Sequence, residues 1–357
     1  MEKHLKEKIN KKFDLILNFL KIVVYCLKTK PQSGDNMTMA KLADLAGVSV
    51  STVSKAFSGS GEISEEKREH IFNIAKEHGC YDKYCRNIHG SKVIAVICPE
   101  YKSGTYSELL SFMENEIKKR NGIMISGSTD FSTERAEQLL RFFMGYSKVD
   151  GIVSLCALPE GIKCSVPVVT TYNNKSYHSV IVSEDAAIDE AIRTLKEYGH
   201  KKIGYVGEKL SHSRYERFLR TMKKNKLSVD NKYVAEEAER FESAGYTAMN
   251  KLFENGTIPT AIIASYDNVA IGAMKSIYEH GLKIPEDISV VGCDDIKEAS
   301  YLDDSLSSIT AYNYELCEVL TDFLFSLIKE KNVDNFKTIK ISKQFVERKS
   351  IGRAPKR

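Results

Sequence analysis

The stretch Thr38-Met39-Ala40-Lys41-Leu42-Ala43-Asp44-Leu45-Ala46-Gly47-Val48-Ser49-Val50-Ser51-Thr52-Val53-Ser54-Lys55 crowds hydroxyls, methyls and ammonium groups into one short segment. Such groups contact phosphates and base edges, so the chemistry they offer is nucleic-acid reading rather than bond breaking. The spacing agrees. Leu42, Ala43, Leu45 and Ala46 give a first helix a small apolar face, and Gly47 allows a tight turn. Val48 packs inside the corner, Ser49 can cap a second helix, and Val53 faces back to the first. This is a helix-turn-helix pattern, whose second helix enters the major groove. A plain helical hairpin is the alternative for this segment taken alone. Ile63-Ser64-Glu65 then opens a third amphipathic helix, Glu65 to Glu77, whose Ile71, Ile74 and Ala75 complete a three-helix core.

Elsewhere the motifs of catalysis are missing from the sequence. The eight histidines make no H-E-x-x-H pair, and no G-x-S-x-G or phosphate loop occurs. The eight cysteines include no C-x-x-C, and scattered thiols fit a reducing cytoplasm. No enzyme, cofactor or metal site is expected. The 357-residue chain has 52 Lys+Arg against 48 Asp+Glu, a formal charge of +4. All of that excess lies in residues 1–36, and 37–90 carries as many acids as bases. Bulk charge therefore does not point at DNA; arrangement must.

Residues 1–36 read as an N-terminal extension. Non-native leader, amphipathic helix and signal peptide are its three readings. Met37 favours the leader, because the preceding Gly34-Asp35 can be encoded by a purine-rich run like a ribosome-binding site. The apolar run in 14–27 is broken by Asn18 and Lys21 and is short for a membrane span.

The elements that must position the remaining residues alternate. Val93–Ile97, Ile123–Ile125, Gly151–Val153, Val166–Thr170, Val180–Val182, Ile203–Val206, Ala261–Ala264 and Ile288–Val291 carry strand signals, with helical patterns between most of them. This alternation predicts an α/β fold with parallel sheets, and so many strands fit two open sheets better than one. Ser64 and Ser132 sit where helix N-caps belong, and Gly199 and Gly281 where helices end.

Together these segments resemble the lactose-repressor/galactose-repressor (LacI/GalR) family of bacterial regulators. Thr38 to Lys55 resembles its DNA-binding headpiece. Thr194 to Gly207, Pro259 to Ala273, Pro285 to Asp295 and Phe345 to Ser350 match later family stretches in family order. The resemblance implies a three-helix headpiece followed by a periplasmic-binding-protein-like core of two doubly wound parallel-sheet subdomains. It implies no enzyme, but a cytoplasmic transcriptional regulator, and a repressor, as most family members are. Its partners would be a palindromic operator DNA, bound as a homodimer, and a small-molecule effector of sugar type, with no membrane. A sugar-binding receptor-like protein without DNA-regulatory role is the alternative.

By the same resemblance, bases are read from Val50, Ser51 and Lys55. Lys55 could donate to guanine O6/N7, Val50 could touch a thymine methyl, and Ser51 can bond either base type. Thr38, Lys41, Ser49 and Ser54 fit phosphate positioning, and Thr52 belongs to the same helix. A hinge helix would follow, with Ile88 as its minor-groove wedge, although Asp82 replaces the usual Pro. Effector-site residues carried over are Thr105, Tyr106, Arg214, Phe241 and Asp267, whereas Asp294-Asp295 is expected to be structural. Tyr266 replaces a usual Asn, and the absence of Trp leaves sugar stacking to Tyr or Phe.

The expected boundaries are 1–36 extension, 37–78 helix-turn-helix, 79–91 hinge, 92–347 effector-binding and dimerisation core, and 348–357 basic tail. Within the core, the N-subdomain takes about 92–182 and 286–311, and the C-subdomain about 183–285 and 312–347.

Overall fold

The structure, a computed structural model, describes residues 37–356 apart from 58–61, 82–83, 85–90, 146–148, 311–312 and 332. The expectations placed on 1–36 and on Ile88 lie outside the described residues. The chain divides into two units, one ending at Ser91 and one beginning at Lys92.

The first unit holds the three expected helices. Helix α1 (Met39–Ala46) starts where the Thr38 hydroxyl accepts the Lys41 N–H and stops at Gly47, whose φ is +63°. That left-handed backbone is cheap only for glycine, which is why the turn falls there. Helix α2 (Val50–Phe57) is capped by Ser49, whose Oγ accepts the Thr52 N–H at 3.1 Å. Helix α3 (Glu65–Glu77) is capped by Ser64, with Glu65 and Glu66 at its positive end. Leu42, Ala43, Val53, Ala56, Phe57, Ile71 and Ala75 form the buried core with Cys80 and Tyr84. Leu45, expected on the apolar face, is exposed. Leu42, Ala43 and Ala46 already span the side of α1 that meets the other helices, and Leu45 falls outside that arc.

Among the described residues, the second unit contains two parallel sheets and a small antiparallel pair of strands. Strands β1 (Lys92–Cys98), β2 (Gly122–Ser128), β3 (Gly151–Ser154), β4 (Val168–Thr170) and β5 (His178–Ser183) alternate with α4 (Gly104–Lys119) and α5 (Thr133–Gly145). Next come α6 (Asp185–Glu197), β6 (Ile203–Glu208), α7 (His212–Lys224), β7 (Val234–Glu237), α8 (Phe241–Glu254), β8 (Ala261–Ala264), α9 (Asp267–Glu279) and β9 (Ser289–Val291). The chain closes with β10 (Ser308–Ile309), α10 (Asn313–Glu330), β11 (Thr338–Ser342) and β12 (Phe345–Val346). The first sheet has the order β11-β5-β4-β3-β1-β2 and the second β7-β6-β8-β9, all parallel.

Helices cover both faces of each sheet. On the first sheet α4 and α10 pack on one face and α5 on the other. On the second, α8 and α9 cover one face and α6 and α7 the other. Central strands buried on both sides are therefore continuous apolar runs, as in Val93–Ile97.

The expected subdomain boundaries need correction. Residues 286–311, expected in the first subdomain, contain β9, which pairs with β8 in the second sheet. Residues 312–347, expected in the second, contain α10, which packs on the first sheet, and β11, which pairs with β5. The chain thus leaves the first subdomain after Ser183, returns to it with α10, and leaves again after Ser342. The expected tail is also corrected. The Ser350 hydroxyl donates to the Val290 carbonyl at 2.6 Å, Val290 N–H donates back to Ser350, and Ile351 is buried.

Candidate functional site

The first unit exposes the outer face of α2. Val53, Ala56 and Phe57 of α2 point inward, so helical spacing turns Val50, Ser51 and Ser54 outward. Val50 is 47% exposed and so presents its methyls to solvent on that face. Thr38 and Ser49 serve as helix caps, which places their hydroxyls at helix N-termini, where anions bind readily. Lys55 lies in the last turn of α2 and forms an ion pair with Glu62.

The second unit has a cleft of about 530 Å³ between its two subdomains, at the carboxyl ends of strands from both sheets. That is where ligands sit in open α/β sheets. Thr105, Tyr106, Arg214 and Phe241 all line it. Thr105 and Tyr106 come from the first turn of α4, Arg214 from that of α7, and Phe241 opens α8. Phe241 holds a φ of +59°, a strained conformation for a bulky side chain, and its N–H points to Glu208 and the Tyr266 hydroxyl. Tyr172, Phe131 and Tyr266 add aromatic surface to the same cavity.

Asp267 is a correction. It is fully buried and does not line the cleft. Its carboxylate accepts the Ser308 hydroxyl at 2.7 Å and the Ile296 N–H at 2.8 Å, and its own N–H donates to the Cys293 carbonyl. It therefore ties α9 to the loop after β9. That loop carries Asp294, expected to be structural, into the cleft. Both aspartates follow a strand, and Gly292 leaves the space that Asp267 occupies: a Cβ there would lie 2.0 Å from Asp267 Oδ1.

Asp294 accepts from Arg214 Nη2 at 3.0 Å, while Arg214 Nη1 donates to the Ser265 carbonyl at 2.7 Å. Lys343 donates to Glu184 at 2.7 Å and lies 3.4 Å from Asp294, and Arg217 pairs with Glu184. Burial pushes the Glu184 and Asp294 carboxyls up, but the charges of Arg214 and Lys343 outweigh it and hold both below the usual range. Glu184, Cys293 and Asp294 converge closely enough for a metal, but these cations already fill the place of one.

A second cluster spans the cleft. Arg240 holds Glu208 of its own subdomain through Nε at 3.0 Å and Glu100 of the other through Nη2 at 2.7 Å. Its guanidinium lies 4.5 Å from the Phe241 ring centroid. Four acids and four bases thus line the cavity, each with an opposite partner. Sequence reasoning missed Glu100, Glu184, Glu208, Arg240, Asp294 and Lys343. Only Asp294 carried a usable signal, its place just past the end of a strand.

Asp267 supplies a pH prediction. Burial pushes its carboxyl up to about 8, against the hydrogen bonds from Ser308 and Ile296. A folded-state value above the unfolded one stabilises fully below about pH 4, and that contribution fades as pH rises through 8. Asp267→Asn can still accept the Ile296 N–H on its amide oxygen and donate its amide N–H to the Ser308 hydroxyl, while removing the titration. Its thermal midpoint should decline less than that of the parent between pH 5 and 9; parallel declines would refute the assignment.

Comparison with known proteins finds relatives of both units. Residues 38–82 match the family described as bacterial regulatory proteins, lacI family, and 192–351 match the periplasmic binding protein-like domain. The ribose operon repressor of Haemophilus influenzae is 28% identical over 329 residues, 88% of this chain and 98% of that protein. The HTH-type transcriptional repressor PurR of the same species is 26% identical over 334 residues, covering 88% and 98%. The lac repressor dimer bound to operator and the anti-inducer ONPF shares the fold, with a TM-score of 0.67 at 20% identity over 88% of this chain and 98% of that one. The chain thus carries a helix-turn-helix of the lacI family of bacterial regulatory proteins over 38–82, ahead of a periplasmic binding protein-like domain over 192–351, and its similar relatives are transcriptional repressors.

Proposed function

We propose that this chain is a repressor that binds a palindromic operator as a homodimer in the cytoplasm and is controlled by an uncharged polyhydroxy effector, a sugar or sugar derivative. Val50, Ser51 and Lys55 would meet base edges, with Thr38, Lys41, Ser49, Thr52 and Ser54 serving phosphates or the helix itself. The observation that carries the effector class is the balanced cleft, where every charged group lining the cavity already has an opposite partner. A charged ligand would leave one of these groups buried and unpaired, which is costly, whereas hydroxyls can bond to donors and acceptors alike. The aromatic rings around the cavity offer faces for a sugar ring. A ribose operon repressor among its relatives supports the same class.

In the proposed mechanism, a ligand that prefers one cleft geometry shifts the angle between the two subdomains. Residues 79–91 pass that shift to the headpiece and so change operator affinity. No helix among the described residues is long and apolar enough to cross a membrane. The test selects an operator from randomised duplex DNA and then screens pentoses, hexoses, their derivatives and purine bases for altered binding. An uncharged sugar that changes operator affinity supports the proposal. Response only to charged compounds sinks the effector class, and sugar binding without any DNA preference favours a receptor.

A further inference from the structure

Resting on the DNA-reading role proposed above, we infer that Glu62 is a specificity-determining residue that reads one base pair jointly with Lys55.

Lys55 closes the exposed face of α2, and Glu62 follows shortly after, ahead of α3. Their charged heads touch. The two side chains are 44% and 66% exposed, so the pair is open to a ligand rather than part of the core. The hydrogen bond and charge of Lys55 hold the Glu62 carboxyl below its usual range, so it stays an ionised acceptor at neutral pH. An exposed ion pair of this kind contributes little to stability, so folding alone gives it little purpose. An anion near phosphates is also repelled, unless something in the groove donates to it.

The major groove holds such donors in a fixed order. Every base pair shows an amino donor beside a keto acceptor: cytosine N4 beside guanine O6, or adenine N6 beside thymine O4. An ammonium touching a carboxylate presents the complementary couple, donor beside acceptor. The ammonium must then face the keto group and the carboxylate the amino group. Guanine adds N7 next to O6, within reach of the same ammonium, whereas thymine adds only a methyl. The couple therefore ranks G·C first and T·A second, with the keto base on the Lys55 side. It rejects C·G and A·T, which set donor against donor and acceptor against acceptor. Lys55 alone would accept any keto oxygen or purine N7, adenine included, so Glu62 supplies the discrimination.

The experiment selects operators for the full-length chain from duplexes with randomised, dyad-related half-sites. Every single base-pair variant of the selected site is then titrated with the parent, Glu62→Ala, Glu62→Gln and Lys55→Ala. One position in each half-site should prefer a keto base on one strand by at least about tenfold over the reversed pair. In Glu62→Ala that preference should fall below about threefold, mainly through tighter binding to the formerly rejected pairs, with other positions unchanged. Glu62→Gln should retain part of it, because the amide oxygen still accepts. Two results would overturn the inference: a preference unchanged in Glu62→Ala, or an affinity change equal at every position, which would make Glu62 a merely repulsive charge. A parent chain that selects no sequence would instead refute DNA reading itself.

Discussion

Arg214→Ala is expected to abolish the effector response while leaving operator binding without effector nearly intact. Arg214 reaches the Ser265 carbonyl and Asp294 at once, with its side chain still 26% exposed at the cleft. Losing its charged donors should weaken effector binding by about a hundredfold or more. Truncation also strips Asp294 of a close cation, leaving only Lys343. Breaking a fully buried pair costs about 3–5 kcal/mol, and partial exposure brings this one below that range, to about 2–3 kcal/mol. Arg214→Lys separates the two effects, since it keeps charge but not the fork. It should unfold near the parent temperature and still respond poorly. Effector titrations of operator binding, alongside thermal unfolding, give both readings; a normal response in both variants would remove Arg214 from the site.

The second large effect lies away from the cleft. Helices α8 and α9 pack through two glycines. A Cβ on Gly245 would lie 1.8 Å from the Val269 carbonyl oxygen, and one on Gly272 would lie 1.9 Å from that of Glu242. Both obstacles are backbone, so the helices must separate rather than a side chain step aside. That opens the cluster of Ala248, Met249, Ala273 and Ile277 between them and the second sheet. Gly272→Ala should therefore cost about 3 kcal/mol or more, the upper end for overpacking. Gly145→Ala is the control, because nothing lies within 4 Å of its added Cβ. It should be neutral or stabilise by up to about 1 kcal/mol. Equal unfolding midpoints for Gly272→Ala and the parent would show that the helices do not pack this closely.

How much of this could be read from sequence depended on which physical signal each element carried. Buried central strands such as Val93–Ile97 were legible, because burial on both faces demands an unbroken apolar run. Strand β7, Val234–Glu237, was not, since an edge strand tolerates two glutamates. Strand β11 alternates exposed and half-buried residues at the opposite edge of the other sheet and was equally hidden. That loss had a consequence for the site: Lys343 lies just past β11, and an unseen strand could not place it. The exchange of segments between subdomains was illegible for another reason. The apolar face of α10 states that it packs on something, but two similar sheets offer that surface. Asp267 and Asp294 show the finest limit. Both are aspartates past strand ends, yet one turns inward into space that Gly292 leaves and the other lines the cleft, a difference the residue type does not carry.

The interleaved path of the chain also sets an order of events during its own synthesis. The headpiece is closed by Tyr84, whose hydroxyl donates to the Met37 carbonyl at 2.6 Å. The second unit lacks an edge strand of one sheet until Thr338–Ser342 emerges, and the hydrogen bonds of Ser350 to Val290 of β9 until that residue does. About 270 residues separate these two completions, roughly 15–50 s at about 5–20 residues per second. For that interval the ribosome carries a finished headpiece whose regulating unit does not yet exist.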